Sequence, residues 1–253
     1  MKRVVVITGG GRGIGAAVAR HAAASGYPTA LLYRSDQQSA EDVRAECEAL
    51  GAPSLAIRAD VAVDRDIVQA FERVQAEMGT PGGLINNAGL NGGRVAIGDF
   101  DRAHLENLFR INVLGTMLCT REAVRCMATS RGGRGGVIVN ISSMASTIGG
   151  RPGLSHYASS KAAVDAFTVG AARELARDGI RVFAIRPGAT ETDLTAAGFN
   201  DPATRAAIER TIAMGRYATA DEIAAPVVSM LSDSFAFLSG AVVDAGGGGY
   251  VFS

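Results

Sequence analysis

The sequence predicts an α/β protein, a doubly wound parallel sheet of about seven strands with helices on both faces. Three observations predict it. Short apolar, β-branched runs alternate with longer helix-forming stretches along the 253 residues, which implies right-handed βαβ units. The first such run passes directly into a glycine-rich turn and an alanine-rich helix former. The polar motifs that stand out each follow a strand, and ligands bind at the carboxyl ends of strands in such sheets.

Taken in order, Lys2 to Thr8 reads as a buried parallel strand over 2–8. Thr8-Gly9-Gly10-Gly11-Arg12-Gly13-Ile14-Gly15 is the turn, and Ala16 to Ala24 carries the first helix, 13–25. Glycine lets a backbone turn tightly and approach a pyrophosphate, whose charge then sits at a helix N-terminus. The spacing here is Gly-x-x-x-Gly-x-Gly. Further strands are read at 28–33, 53–58, 82–86, 136–142, 180–186 and 240–244. Helices are read between them at 37–50, 64–78, 101–129, 156–178 and 220–231.

A chain of this length can bury a sizeable core in a single domain, 1–253, and no linker, repeat or low-complexity tract divides it. A strand begins almost at once, which leaves no room for a signal peptide. No apolar run approaches the ~20 residues of a membrane helix. Formal net charge is zero, so nothing argues for nucleic acid or a membrane surface. Arg121, Arg125, Arg131 and Arg134 cluster near one helix end, where cations complement a helix C-terminus. Cys47, Cys119 and Cys126 form no Cys-x-x-Cys pair, and reduced, mostly buried thiols fit a cytoplasmic protein. His21, His104 and His156 share no metal-ligand spacing, so no metal is expected; His156 is read as lining a pocket or lying on the surface.

Tyr157 and Lys161 stand four residues apart in a helix-forming stretch, on one helix face. An ammonium beside a phenol favours the phenolate and lowers the tyrosine pKa from its usual ~10. Such a phenol can exchange a proton with a carbonyl or an alcohol.

Together these motifs resemble the short-chain dehydrogenase/reductase family. The match runs from Thr8-Gly-x-x-x-Gly-Ile-Gly15 through Asn86-Asn87-Ala88-Gly89, Asn112, Ser143 and Tyr157-x-x-x-Lys161 to Pro187-Gly188 and Asp221-Glu222-Ile223-Ala224. The resemblance implies a Rossmann-type sheet and hydride transfer between a nicotinamide and a carbonyl. It makes Tyr157 the general acid/base and gives Lys161 two roles, on the tyrosine pKa and on the nicotinamide ribose. Ser143 would hold the substrate oxygen. Asn112, in the long fourth helix, would bind a water linking Lys161 to solvent. The family pattern selects Ser143, 14 residues before Tyr157, and this separation is one longer than in some relatives, so Ser142 stays open.

By the same resemblance Gly9, Gly11, Arg12, Gly13, Ile14 and Gly15 cradle the cofactor, Asp60 and Val61 flank the adenine, and Asn87, Ala88 and Gly89 underlie the ribose. Pro187-Gly188-Ala189-Thr190-Glu191-Thr192 resembles the segment that holds the carboxamide; Thr192 matches the family threonine, whereas Thr190 replaces the usual aliphatic residue. Asp36 lies 21 residues after Gly15, near the spacing of a ribose-binding carboxylate. The second strand, however, ends at Tyr33 and continues into Arg34 and Ser35. Arg12, Arg34 and Ser35 suit a 2′-phosphate, so NADP(H) is expected over NAD(H), and Asp36 reads as a helix N-cap.

Residues 190–216 read as a substrate-covering flap, with Leu194, Phe199, Ile208, Ile212 and Met214 as its apolar members. The general resemblance extends to 3-oxoacyl-carrier-protein reductases and to polyol or sugar dehydrogenases. Carrier-protein reductases often hold a basic residue where Asp178 stands, which favours a small ketone, sugar or polyol. A dinucleotide sensor without turnover is the alternative of a different class. The resemblance also implies a homotetramer, or a dimer, built through the helices at 156–178 and 220–231 and the last strand.

Overall fold

The computed structural model of the protein describes residues 2–196 and 200–249. Strands β1 (Val5–Thr8), β2 (Thr29–Tyr33), β3 (Ser54–Arg58), β4 (Gly83–Asn86), β5 (Gly136–Ile141), β6 (Ile180–Pro187) and β7 (Val242–Ala245) form one sheet in the order β3-β2-β1-β4-β5-β6-β7. Every pairing is parallel. The order reverses direction at β1, so the crevice opens above the β1/β4 gap.

The helices are α1 (Gly13–Ala24), α2 (Gln37–Ala49), α3 (Asp64–Met78), α4 (Arg102–Phe109), α5 (Thr116–Met127), α6 (Ala145–Ile148), α7 (Ser155–Leu175), α8 (Pro202–Glu209) and α9 (Ala220–Ser229). Period-two alternation along β1 sorts them into two layers. Val5 and Ile7 face α1, α2 and α9, packing with Val18, Val43 and Val227. Val4 and Val6 face α3, α5 and α7, packing with Phe71, Cys119 and Leu175. Both faces are therefore covered, and the inner strands read as continuous apolar runs.

Two buried asparagines interrupt that apolar interior. Asn86 of β4 lies directly beside Asn140 of β5, and its Nδ2 donates to Asn140 Oδ1 at 2.8 Å and to Thr120 Oγ1 at 3.1 Å. Asn140 Nδ2 in turn donates to Thr168 Oγ1 at 2.9 Å. The amide pair thus ties β4 and β5 to α5 and α7.

The element assignments from sequence hold, with four differences. The helix expected over 101–129 is α4 and α5 joined by a π-helical stretch, Arg110–Gly115. A Cβ at Gly115 would lie 3.0 Å from Val61, so glycine lets this stretch press against the loop after β3. The flap contains α8, started by Asp201, whose carboxylate accepts from the Thr204 amide at 2.8 Å, with Pro202 in its first turn. The short helix α6 carries no apolar periodicity to announce it. Arg121 and Arg125 pair with Glu122, and Arg121 also pairs with Asp64; Arg125 lies in the last turn of α5 and Arg131 in the last turn of the short 3-10 helix Thr129–Arg131 that follows. Asp36 caps α2 as expected, accepting from the Ser39 amide at 3.0 Å and its hydroxyl at 2.7 Å.

Cys47 and Cys119 are buried, Cys126 is half-buried, and all are free thiols. Burial pushes the Cys119 thiol up to about 12. Among the described residues no helix is long and apolar enough to cross a membrane, and no group of three or more potential metal ligands occurs.

Candidate active site

The glycine turn is held from below by one hydroxyl. Thr8 Oγ1 accepts from the backbone amides of Asn87 and Ala88, both at 2.9 Å. The Asn87 side chain returns the favour, donating from Nδ2 to the carbonyls of Thr8 and Gly9 at 3.0 and 3.1 Å. Two loops that diverge from neighbouring strands are thereby tied together at the switch point. Gly9 and Gly13 adopt φ of +64° and +54°, which favours glycine. A Cβ at Gly15 would fall 2.2 Å from the Gly9 carbonyl. No side chain caps the amides at the start of α1, and no acid lies in its first turn. This N-terminus is a ready anion site.

A groove of about 490 Å³ runs from this turn across the sheet. Gly9, Gly11, Arg12, Gly13, Ile14, Arg34, Ser35, Asp60, Val61, Asn87, Ala88, Gly89 and Thr192 all line it. Arg34 and Ser35 stand exposed at its rim, and Arg58 reaches over to the Arg34 carbonyl at 3.3 Å. Arg12 faces Asp193 across the groove at 3.8 Å, both solvent-exposed. The Asp60 carboxylate accepts from the Ala62 amide at 2.9 Å. With its glycine cradle, uncapped helix start and basic rim, the groove fits a dinucleotide.

A second cavity, of about 550 Å³, continues from the first through Ile14, Asn87, Gly89, Leu90, Asn91, Thr192 and Leu194. Ser143, Tyr157 and Lys161 line it. Lys161 is buried, its Nζ donates to the Ile141 carbonyl at 2.8 Å, and it lies 6.0 Å from the centre of the Tyr157 ring. Burial pulls the Lys161 ammonium down to about 8, against the opposing charge of Asp165. Ser142 lines the cavity too, and the two serines differ in exposure and partners. Ser142 is buried and its hydroxyl donates to the Lys161 carbonyl at 3.2 Å. Ser143 is only half-buried, and its Oγ accepts from the Ala145 amide at 3.1 Å.

Asn112 sits inside the π-helical stretch, fully buried. Its amide clamps Leu90, accepting from the Leu90 N–H and donating to the Leu90 carbonyl, both at 2.9 Å. It also donates to Ser160 Oγ at 3.0 Å. Asn112 Oδ1 and Lys161 Nζ both flank Gly89, where a Cβ would lie 3.2 and 3.5 Å from them.

Pro187, Gly188, Thr190 and Thr192 line the second cavity. Thr190 is buried and donates to the Gly188 carbonyl at 3.1 Å, so its side chain shapes the loop from within. Among the flap's apolar residues, Leu194 and Ile208 line the cavity. Ile212 is buried and Met214 exposed; Phe199, with Gly198, lies outside the described residues. His156 neither lines the cavity nor reaches the surface: it is buried against His104 and Phe100, ring centres 5.3 and 5.4 Å away. Burial lowers its pKa, with His104 adding to the effect.

Arg94, Arg151 and Tyr217 also line this cavity and went unremarked in the sequence. Each is a lone side chain in a glycine-rich or irregular segment, where spacing carries no signal.

A family model described as short chain dehydrogenase matches residues 3–203. The uncharacterized oxidoreductase YgfF of Escherichia coli is 34% identical over 97% of this chain and 99% of its own. A 3-oxoacyl-[acyl-carrier-protein] reductase of Staphylococcus aureus is 31% identical over 99% of each. A solved short chain dehydrogenase of Burkholderia cenocepacia, in complex with NADP, is 34% identical and superposes with a TM-score of 0.88 over 98% of this chain and 97% of that one.

Proposed function

The chain belongs to the short-chain dehydrogenase/reductase family and is an NAD(P)-dependent oxidoreductase; from that premise we propose that it interconverts a carbonyl and a secondary alcohol with NADP(H), using Tyr157 as general acid/base. The observation that carries this reading is the cavity shared by Ser143, Tyr157 and Lys161, which opens directly into the glycine-turn groove.

Gly9, Gly11, Gly13, Ile14 and Gly15 hold the pyrophosphate against the start of α1. Asp60 and Val61 bound the adenine; Asn87, Ala88 and Gly89 floor the ribose; Pro187, Gly188, Thr190 and Thr192 enclose the carboxamide end. When bound, the nicotinamide supplies the hydride for the carbonyl carbon. Ser143 donates to the substrate oxygen as charge develops on it. Tyr157 gives its phenolic proton to that oxygen and is left as phenolate, which the Lys161 ammonium stabilises. Asn112 keeps the Leu90 loop in place beside Lys161, and a water at Gly89 between them reloads the proton from solvent.

The basic rim supports NADP(H). Arg12, Arg34 and Ser35 offer charge-assisted hydrogen bonds to a 2′-phosphate, and Asp36 is spent on Ser39. A solved relative carries NADP. A carrier-protein substrate is less well supported, because the Asp178 carboxylate accepts from the Ser130 amide at 3.0 Å and offers no cation. We place the chain as one domain in the cytoplasm, as a homotetramer or dimer. Exposed Phe237, Leu238 and Val243 beside the outer edge of the sheet give such an assembly apolar surface to cover; sedimentation as a monomer at micromolar concentration would remove the proposal.

The test is NADPH consumption over ketones, diketones, keto-sugars and 3-oxoacyl thioesters, with Tyr157→Phe in parallel. Turnover should fall by roughly 10²–10⁴-fold while NADPH binding persists. Near-normal turnover in the variant refutes the assignment, and tight NADPH binding without turnover of any substrate favours the sensor.

A further inference from the structure

The second cavity has an unbalanced charge. Among the described residues three cations line it (Lys161, Arg94 and Arg151), and no carboxylate does. Lys161 belongs to the reacting centre, but the two arginines have no part in it. They enter on loops joined by one hydrogen bond, Val95 N–H to the Gly153 carbonyl at 2.9 Å, and a Cβ at Gly153 would touch the Arg94 Cβ at 3.1 Å. Arg151 is half-buried and donates to Thr211 Oγ1 at 3.1 Å. That single neutral acceptor occupies one of five guanidinium donors.

Neither arginine has a carboxylate within ion-pair distance among the described residues, although acids stand close by. Glu191 and Glu209 are both taken by Arg205, at 2.6 and 2.8 Å, and Asp193 faces Arg12 in the other groove. Ile148, Leu154, Leu194 and Ile208 give the wall an apolar part, beside neutral polar groups such as Thr195 and Tyr217. Unpaired guanidiniums on a concave, partly apolar wall without opposing carboxylates raise the local concentration of anions and bind planar oxyanions bidentately. The cofactor's phosphates cannot be their target, because the anion-binding start of α1 and the basic rim lie in the first groove.

Resting on the reductase reading of this cavity, we infer that the substrate is an anionic ketone or alcohol with an apolar span between the reacting carbon and a carboxylate or phosphate monoester, which Arg151 and Arg94 receive. The two arginines act as specificity determinants, away from the bond that changes.

Oxo acids of increasing chain length, each with its methyl ester and the matching oxoalkyl phosphate, test this as substrates with NADPH. The acid or the phosphate should exceed the ester in kcat/KM by about 10–100-fold, the range of a charge-assisted contact, and whichever wins names the anion. Arg151→Gln and Arg94→Gln should each shrink that ratio at least several-fold, mainly through KM, and 0.5 M salt should shrink it in the unaltered protein. Equal turnover of ester and anions overturns the inference. Calorimetric titration of hexanoate and hexanamide into the NADP⁺-loaded protein makes the answer independent of turnover. Tighter hexanoate binding, lost in Arg94→Gln, upholds the anion site even if no ketone is reduced and the reductase reading fails. Equal binding of the two sinks the anion site even if ketones are turned over.

Discussion

Thr8→Val isolates the hydroxyl that ties the glycine turn to the Asn87 loop. Valine matches threonine in shape but cannot accept the Asn87 and Ala88 amides, each now 2.9 Å from Oγ1. An amide left without an acceptor costs about 1–3 kcal/mol. Both residues are half-buried, so the lower part of that range applies, about 2–4 kcal/mol for the pair. The extra apolar carbon returns about 0.8 kcal/mol. The net loss is roughly 1–3 kcal/mol, which at a urea m-value of about 3 kcal/mol/M lowers the midpoint by about 0.4–1 M. Thr8→Ser keeps the acceptor and is the control. Because Asn87 Nδ2 also holds the Thr8 and Gly9 carbonyls, NADPH affinity should fall several-fold in Thr8→Val and little in Thr8→Ser. Coincident midpoints for the two variants would show that the hydroxyl is not the tie, and the reasoning about the loop pair would fail.

Three further outcomes are expected. Arg34→Ala should weaken NADPH binding by about tenfold or more with little effect on NADH, measured by fluorescence titration; equal losses for both would remove Arg34 from phosphate recognition. Gly15→Ala, whose Cβ would meet the Gly9 carbonyl at 2.2 Å, should cost about 1–3 kcal/mol by overpacking and impair NADPH binding; an unchanged dissociation constant contradicts the cradle. Lys161, pulled down to about 8 by burial, should give kcat/KM a falling limb near that pH. The unfolded chain keeps the Lys161 proton up to ~10.5 and the folded one only to about 8, so the unfolded state binds more protons in that window. Stability relative to Lys161→Met should therefore rise from pH 8 to 10.5; a pH-independent gap would contradict a buried, titrating lysine.

Most of the fold was legible because a parallel sheet writes itself as alternation of strand and helix: short apolar runs such as Val4 to Ile7 recur between longer helix-forming stretches. The seven strands of the sheet are all found within two or three residues of where the sequence puts them. What it could not show was geometry without period. The π-helical stretch at Asn112 looks like ordinary helix, since one extra residue in a turn leaves composition unchanged. The helix α8 was hidden in a segment read as a substrate-covering flap, although Asp201-Pro202 is a usable start signal. In the site, Ser143, Tyr157 and Lys161 could be named because motifs carry them, and the structure brings all three to one cavity. Arg94 and Arg151, 57 positions apart, sit on loops that the Val95–Gly153 hydrogen bond joins, which no local pattern records. His156 failed differently: adjacency to Tyr157 says nothing about its direction, because consecutive helix residues diverge by about 100°.

The buried pair Asn86 and Asn140 has a consequence beyond the hydrogen bonds that it makes. Parallel strands as apolar as Gly83–Asn86 and Gly136–Ile141 are apart from these asparagines would lose little hydrophobic energy by sliding past one another. A slipped pairing would, however, strand two amides in a dry interior, so these polar groups work as an address label that only one alignment can read. Asn87 follows the first label by one residue and Ser143 follows the second by three. An error in alignment would carry Asn87 and Ser143, the proposed cofactor floor and substrate hydroxyl, out of reach of each other. Polarity placed at the centre of the sheet thus guards the chemistry at its edge.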